Sequence, residues 1–180
     1  PLPTLSCLSA CQTASVIPRD IKPPNIFLTY DRRGKIWVFD ASQPADATTE
    51  KTRTGTALGT PYYMSPEQAM GLVDQLDGRA DLFSVGAILH ALITGQRIHN
   101  ARTENEALIL AATTPVPTVA RIDPNLPIEV IKLIDKSLAW DRRNRHADAT
   151  AMREDVERTL ALVQGQPSTA PVRMPSAREV

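Results

Sequence analysis

Asp20, Lys22, Asn25 and Asp40 are the residues whose types and spacing suit chemistry. Two carboxylates, an amide and an ammonium fit a divalent metal held with phosphates. Hard oxygen ligands hold Mg²⁺, and a lysine neutralises charge on a moving phosphoryl group. Three of the four lie in the run Pro18-Arg19-Asp20-Ile21-Lys22-Pro23-Pro24-Asn25, and Asp40 follows fifteen residues after Asn25.

The segment between them must bring the set together. Ile26-Phe27-Leu28-Thr29-Tyr30 and Lys35-Ile36-Trp37-Val38-Phe39 are rich in β-branched and aromatic residues. Asp31-Arg32-Arg33-Gly34 separates them, which predicts a β-hairpin. A hairpin returns its second end to its first, so Asp40 converges with the residues before Ile26. Residues 40–61 carry no strong period and hold Thr48, Thr49, Thr52, Thr54, Thr56 and Thr60, a long loop of the kind that is functional or disordered.

Four helices are expected after it. Leu82, Val85, Ile88, Leu89, Leu92 and Ile93 recur at helical spacing up to a stop at Gly95, and this stripe reads as the core. Thr103 and Glu106 form a capping-box pattern ahead of Ala107–Leu110, with Pro115 and Pro117 as the end. A third helix starts near Pro127 and places Ile131, Ile134 and Leu138 on one side. A fourth covers about 147–163, with Met152, Val156 and Leu160 inward and Glu154–Arg158 as an i,i+4 pair. The first residues repeat Leu2, Leu5 and Leu8 among poor helix formers, a degenerate helix over 1–15. The chain then divides into 16–164 and a Pro-rich flexible tail or linker over 165–180.

The run at 18–25 resembles the catalytic loop of eukaryotic-like protein kinases, His-Arg-Asp-x-Lys-x-x-Asn. Further matches follow in order. Gly59-Thr60-Pro61-Tyr62-Tyr63-Met64-Ser65-Pro66-Glu67 resembles the end of a kinase activation segment. Asp81-Leu82-Phe83-Ser84-Val85-Gly86 resembles the start of the central helix of the large lobe. Asp141-Arg142-Arg143-Asn144-Arg145 resembles the late loop whose arginine pairs with the activation-segment glutamate. The flavour is that of bacterial serine/threonine kinases. The resemblance implies an α+β, protein-kinase-like fold, of which this chain is the mainly α large (C-terminal) lobe with its small hairpin.

Roles follow residue by residue from that resemblance. Asp20 accepts the substrate hydroxyl proton, and Lys22 contacts the γ-phosphate of ATP. Asn25 and Asp40 hold Mg²⁺. Thr60 hydrogen-bonds near Asp20 and Lys22. Glu67 and Arg145 form a buried ion pair, and Asp81 ties the catalytic loop to the central helix through backbone N–H groups. Thr52, Thr54 and Thr56 are candidate phosphorylation sites, where a phosphate could order the loop against Arg19. The implied activity is ATP-dependent phosphoryl transfer to Ser or Thr of a protein substrate.

The sequence departs from the family pattern at three positions. Pro18 stands where His belongs, Ala41 where Phe belongs and Ser42 where Gly belongs. The His and Phe pack on each other in the family, so both sides of one contact are changed. Pro18 also removes a backbone N–H and fixes φ next to the base. No Gly-rich loop, Val-Ala-x-Lys strand or partner glutamate occurs in the 180 residues, so the small lobe is absent. These departures predict weak or no phosphoryl transfer by the chain alone. The alternative is a catalytically dead, pseudokinase-type interaction module, using a pocket between 40–67 and 103–113, or the product of a decayed gene. Without a small lobe, apolar surface near Ile21, Ile26 and Val38 is expected to be uncovered.

Composition excludes other classes. Twenty basic residues balance twenty acidic ones, which removes the bulk electrostatic motive for nucleic acid or anionic membrane. No apolar run approaches the ~20 residues of a membrane span, and no secretory signal is visible. Cys7 and Cys11 cannot build a disulfide framework and read as small buried thiols of a cytoplasmic protein. His90, His99 and His146 read as structural or exposed, and Trp37 and Trp140 as core.

Overall fold

The computed structural model describes residues 2–13, 18, 21–23, 26–28, 34–36 and 61–165. Helix α1, Leu2–Thr13, comes first and is followed by strands β1, Ile26–Leu28, and β2, Gly34–Ile36. The strands are antiparallel, with Ile26 opposite Ile36 and Leu28 opposite Gly34. The hairpin forms as expected, with Gly34 inside the ladder rather than in the loop. After a 3₁₀ turn at Pro61–Tyr63 come α2, Pro66–Ala69; α3, Arg79–Thr94; α4, Glu104–Thr113; α5, Ile128–Ser137; and α6, Ala149–Gln164.

Helix α3 is the axis. Every residue from Ala80 to Ile88 is buried, so it is covered on all sides. Leu82, Val85 and Ile88 meet Leu5 and Leu8 of α1, Leu133 of α5, and Met152 and Val156 of α6. Phe83 and Ala87 point the other way, into a second cluster with Ile98, Val119, Ile134 and Leu138. A Cβ added at Gly86 would stand 2.6 Å from Cβ of Ser137, so α3 and α5 touch there at backbone distance. Helix α3 ends at Gly95, whose φ of 69° is the left-handed cap, with its N–H donating to Ala91.

Several expectations are corrected. The stripe of α3 does not stay in the core to its end: Leu92 is 75% exposed and Ile93 also faces solvent, because the last turn runs past its neighbours. Helix α1 is sound where its composition reads as degenerate. Leu5 and Leu8 are fully buried, so burial against α3 and α6 overrides weak propensity. Ile21 is buried in the same cluster, not uncovered; the Ile26 and Val38 side chains lie outside the described residues.

At the start of α4 the Thr103 hydroxyl accepts from the Glu106 N–H, but the Glu106 carboxylate accepts from Arg102 N–H rather than from Thr103. Pro127 is the residue before α5, not its first helical one. In α6, Leu160 is exposed, and Arg158 pairs with Asp155 at 3.2 Å, displacing the expected Glu154–Arg158 pair. Cys7 and Cys11 are free and only half-buried. Trp140 is half-buried at the surface rather than in the core, and Trp37 lies outside the described residues. Among the described residues no helix is long and apolar enough to cross a membrane.

Candidate active site

Of the residues expected to carry chemistry, Lys22 is described and half-buried. Asp20, Asn25, Asp40, Thr52, Thr54, Thr56 and Thr60 lie outside the described residues, as do Arg19, Ala41 and Ser42. Pro18 is buried, and Ile21 is packed between α1 and α3. The apolar Ile21 thus holds its segment against the core one residue before Lys22.

Tyr63 packs against the same cluster as Ile21. Pro61–Tyr63 lies on α3, where the Ser84 hydroxyl donates to the Tyr63 carbonyl at 2.8 Å. The guanidinium of Arg97 sits 3.6 Å from the centre of the Tyr62 ring, a cation–π contact on the outer side. Helix α2 starts directly afterwards. Pro66 occupies its first turn, where a missing N–H costs nothing, and the N–H and hydroxyl of Ser65 both donate to Gln68 Oε1.

Glu67 of α2 meets Arg145, which comes just before α6. Nη1 and Nη2 of the arginine donate to Oε1 and Oε2 at 2.6 and 2.9 Å, and both side chains are out of solvent. The other donors of the guanidinium are used as well: Nε on the Ala139 carbonyl, Nη1 on Arg79 and Nη2 on Trp140. All five N–H groups have an acceptor, and the plane lies 4.8 Å from the Phe83 ring centre. Burial alone would raise the Glu67 carboxyl; the hydrogen bonds and charge of Arg145 outweigh it and hold the group below its ordinary value. The expected pair is therefore present, and it joins three elements, α2, α3 and the loop before α6.

Asp81 is 2% exposed in the first turn of α3, a position where a carboxylate also faces the positive end of the helix. The Cys11 thiol is pushed up, first by burial, then by Cys7 beside it and by the nearby Asp81. Sequence reasoning missed three contacts that hold this frame. Gln12 accepts from the Ala149 N–H at 2.9 Å and also sits where a Gly78 side chain would be, so it locks α1 to α3 and α6. Arg142 reaches Asp77 at 2.9 Å. His146, fully buried, contacts Asp155 through Nε2 at 2.9 Å. The partners of Gln12 and Arg142 come from distant segments, and that of His146 lies beyond a helical turn's reach in sequence, so no local spacing marks them.

The comparisons agree with this arrangement. The model of the protein kinase domain matches residues 2–156. The chain is 33% identical over 159 residues to the serine/threonine-protein kinase Pkn1 of Myxococcus xanthus, covering 86% of this chain and 22% of that protein. It is 34% identical over 158 residues to PknL of Mycobacterium tuberculosis, covering 86% and 38%. It is 31% identical over 169 residues to PknB of Mycobacterium leprae, covering 90% and 26%. The chain spans between about a fifth and two fifths of these relatives. With a family match across most of its length, and with the activation-segment glutamate locked onto the late arginine, the chain belongs to the protein kinase family, alongside bacterial serine/threonine kinases.

Proposed function

We propose that this chain supplies the catalytic-loop half of a serine/threonine protein kinase, in which a protein hydroxyl attacks the γ-phosphate of ATP. The observation that carries this reading is the closed Glu67–Arg145 pair. It holds the end of the activation segment on α3 as a large lobe prepared to take substrate requires. Asp20 takes the proton from the attacking serine or threonine hydroxyl. Lys22 places its ammonium at the transferring phosphoryl group, and Thr60 steadies Asp20 and Lys22. Asp81 orients the catalytic loop from below. Protein kinases generally use ATP with Mg²⁺. The amide oxygen of Asn25 and the carboxylate of Asp40 are the hard donors that would hold the ion, which when bound supplies neutralisation of phosphate charge. Thr52, Thr54 and Thr56 are the proposed regulatory phosphorylation sites.

Pro18 favours a second reading, a pseudokinase-type module that binds a partner protein. A buried proline occupies the place of the histidine that would pack on the missing phenylalanine at Ala41. Misplacing a catalytic group by ~1 Å can cost about 10²-fold in rate. One experiment separates the two. The full chain, alone and with a nucleotide-binding small lobe supplied in trans, is assayed for transfer of labelled γ-phosphate to a generic protein substrate, with Asp20→Asn as control. Transfer that vanishes in Asp20→Asn supports the enzyme. Absence of transfer under both conditions, with no heat of Mg²⁺-ATP binding by titration calorimetry, supports the binding module.

A further inference from the structure

Between the end of α2 and the Arg142–Asn144 turn, the surface forms a half-open cavity of about 410 Å³, within the range of small-ligand sites. Of the residues given a role above, only Glu67 of the structural pair lines it. Its apolar wall is built from Pro66, Met70, Leu72 and the half-buried indole of Trp140. Met70 is 43% exposed, and its flexible thioether can adapt to an apolar body placed against it.

The polar side of the cavity is asymmetric. The carboxylates near it are already engaged: Glu67 by Arg145, Asp141 by Arg143 through both oxygens, and Asp77 by Arg142 and the Arg79 N–H. The guanidinium of Arg142 is only half used. Nη1 donates to the Gln75 carbonyl at 2.5 Å and to Asp77 at 2.9 Å, while Nε and Nη2 make no hydrogen bond among the described residues. That Nε–Nη2 edge is the fork that takes a carboxylate through two parallel bonds. On Arg143 the same edge is closed by Asp141.

We propose that this cavity is a binding site for a small apolar monocarboxylate. The hydrocarbon body lies on Trp140, Met70 and Leu72, and the carboxylate bonds to the open edge of Arg142. An occupant also rests on Pro66, at the start of the helix that carries Glu67, and so adds to the hold on the activation-segment end.

The test uses the full chain with 2-naphthoate as probe, followed by saturation-transfer NMR and by tryptophan fluorescence. The expected result is saturable binding below about 1 mM, with 2-naphthamide, of the same shape without the charge, at least about tenfold weaker. Arg142→Lys keeps the charge facing Asp77 and removes the fork, and it too should weaken naphthoate binding about tenfold. A melting temperature that rises with naphthoate but not with naphthamide supports the same site. Lack of saturable naphthoate binding up to about 1 mM, equal affinity for the amide, or unchanged affinity in Arg142→Lys overturns the proposal. If circular dichroism shows that Arg142→Lys does not fold, the acid–amide comparison on the unaltered chain decides.

Discussion

Arg143 and Arg145 leave the same turn two residues apart, and each grips both oxygens of a carboxylate. The Arg143 side chain is 81% exposed and holds Asp141, its neighbour in sequence. Arg145 is fully buried and holds Glu67 from 78 residues away. The first pair forms within its own loop in water, where screening leaves little net energy. The second closes a long segment of chain onto the core, and all its donors are engaged. Arg143 binds side-on through Nε and Nη2 and Arg145 end-on through Nη1 and Nη2, yet both engage two oxygens; consequence is set by burial and by how far apart the partners lie in sequence. Hydrogen bonds from the Arg143 side chain hold the Asp141 carboxyl down to about 2, although that group is open to solvent. A lowered carboxyl is therefore no guide to structural importance here.

The largest test of that contrast is Arg145→Ala. It strands a buried carboxylate and removes the donor from three carbonyls, so urea unfolding of the full chain should show a loss of about 3–5 kcal/mol. Adding Glu67→Leu to Arg145→Met should recover only part of it, because the carbonyls of Arg79, Ala139 and Trp140 remain without their donor. An Arg145→Ala midpoint equal to that of the unaltered chain would break the comparison.

Acid should act in two steps, both in the direction of unfolding. His90, His99 and His146 are each lowered, chiefly by burial, so the unfolded chain takes up their protons first and stability falls as pH drops below 6.5. Glu67 and Asp155 are held low by their partners against the upward push of burial. Their contribution is present above the ordinary values of 4.5 and 3.8 and is lost as pH falls through them toward the folded values. Urea midpoints taken between about pH 7.5 and pH 3.5 should show both declines. Glu67→Gln should shrink the lower one and leave the upper. A flat profile above pH 5 would mean that the histidines are charged in the fold.

The smallest effect belongs to Asp141→Asn. Its urea midpoint should match that of the unaltered chain at physiological salt, with any difference disappearing as salt is raised. A clear, salt-resistant loss would show the exposed pair to be structural after all.

Much of the frame is legible along the chain. The capping threonine at 103, the Gly95 stop and the spacing of Leu82, Val85 and Ile88 are local signals, and each marks an element where it stands. The Glu67–Arg145 pair was visible only through the ordered run of motifs, since nothing in the spacing of 78 residues brings them together. Helix α1 shows the opposite limit. Its serines, threonines and cysteines argue against a helix, and its two buried leucines prevail because α3 and α6 provide the surface that buries them. Arg142 with Asp77 and His146 with Asp155 carry no sequence signal, because their partners are defined by packing.

By itself, then, the order of residues determined where the hairpin and the longer helices after it stand, because caps, breakers and periodicity act within a few residues. Tertiary structure alone decided which arginine is buried, which end of α3 leaves the core, where Ile21 and Trp140 lie, and that Arg142 lines a cavity with only its Nη1 hydrogen-bonded among the described residues. Burial and donor saturation are properties of surfaces brought together from far along the chain, and no local pattern records them.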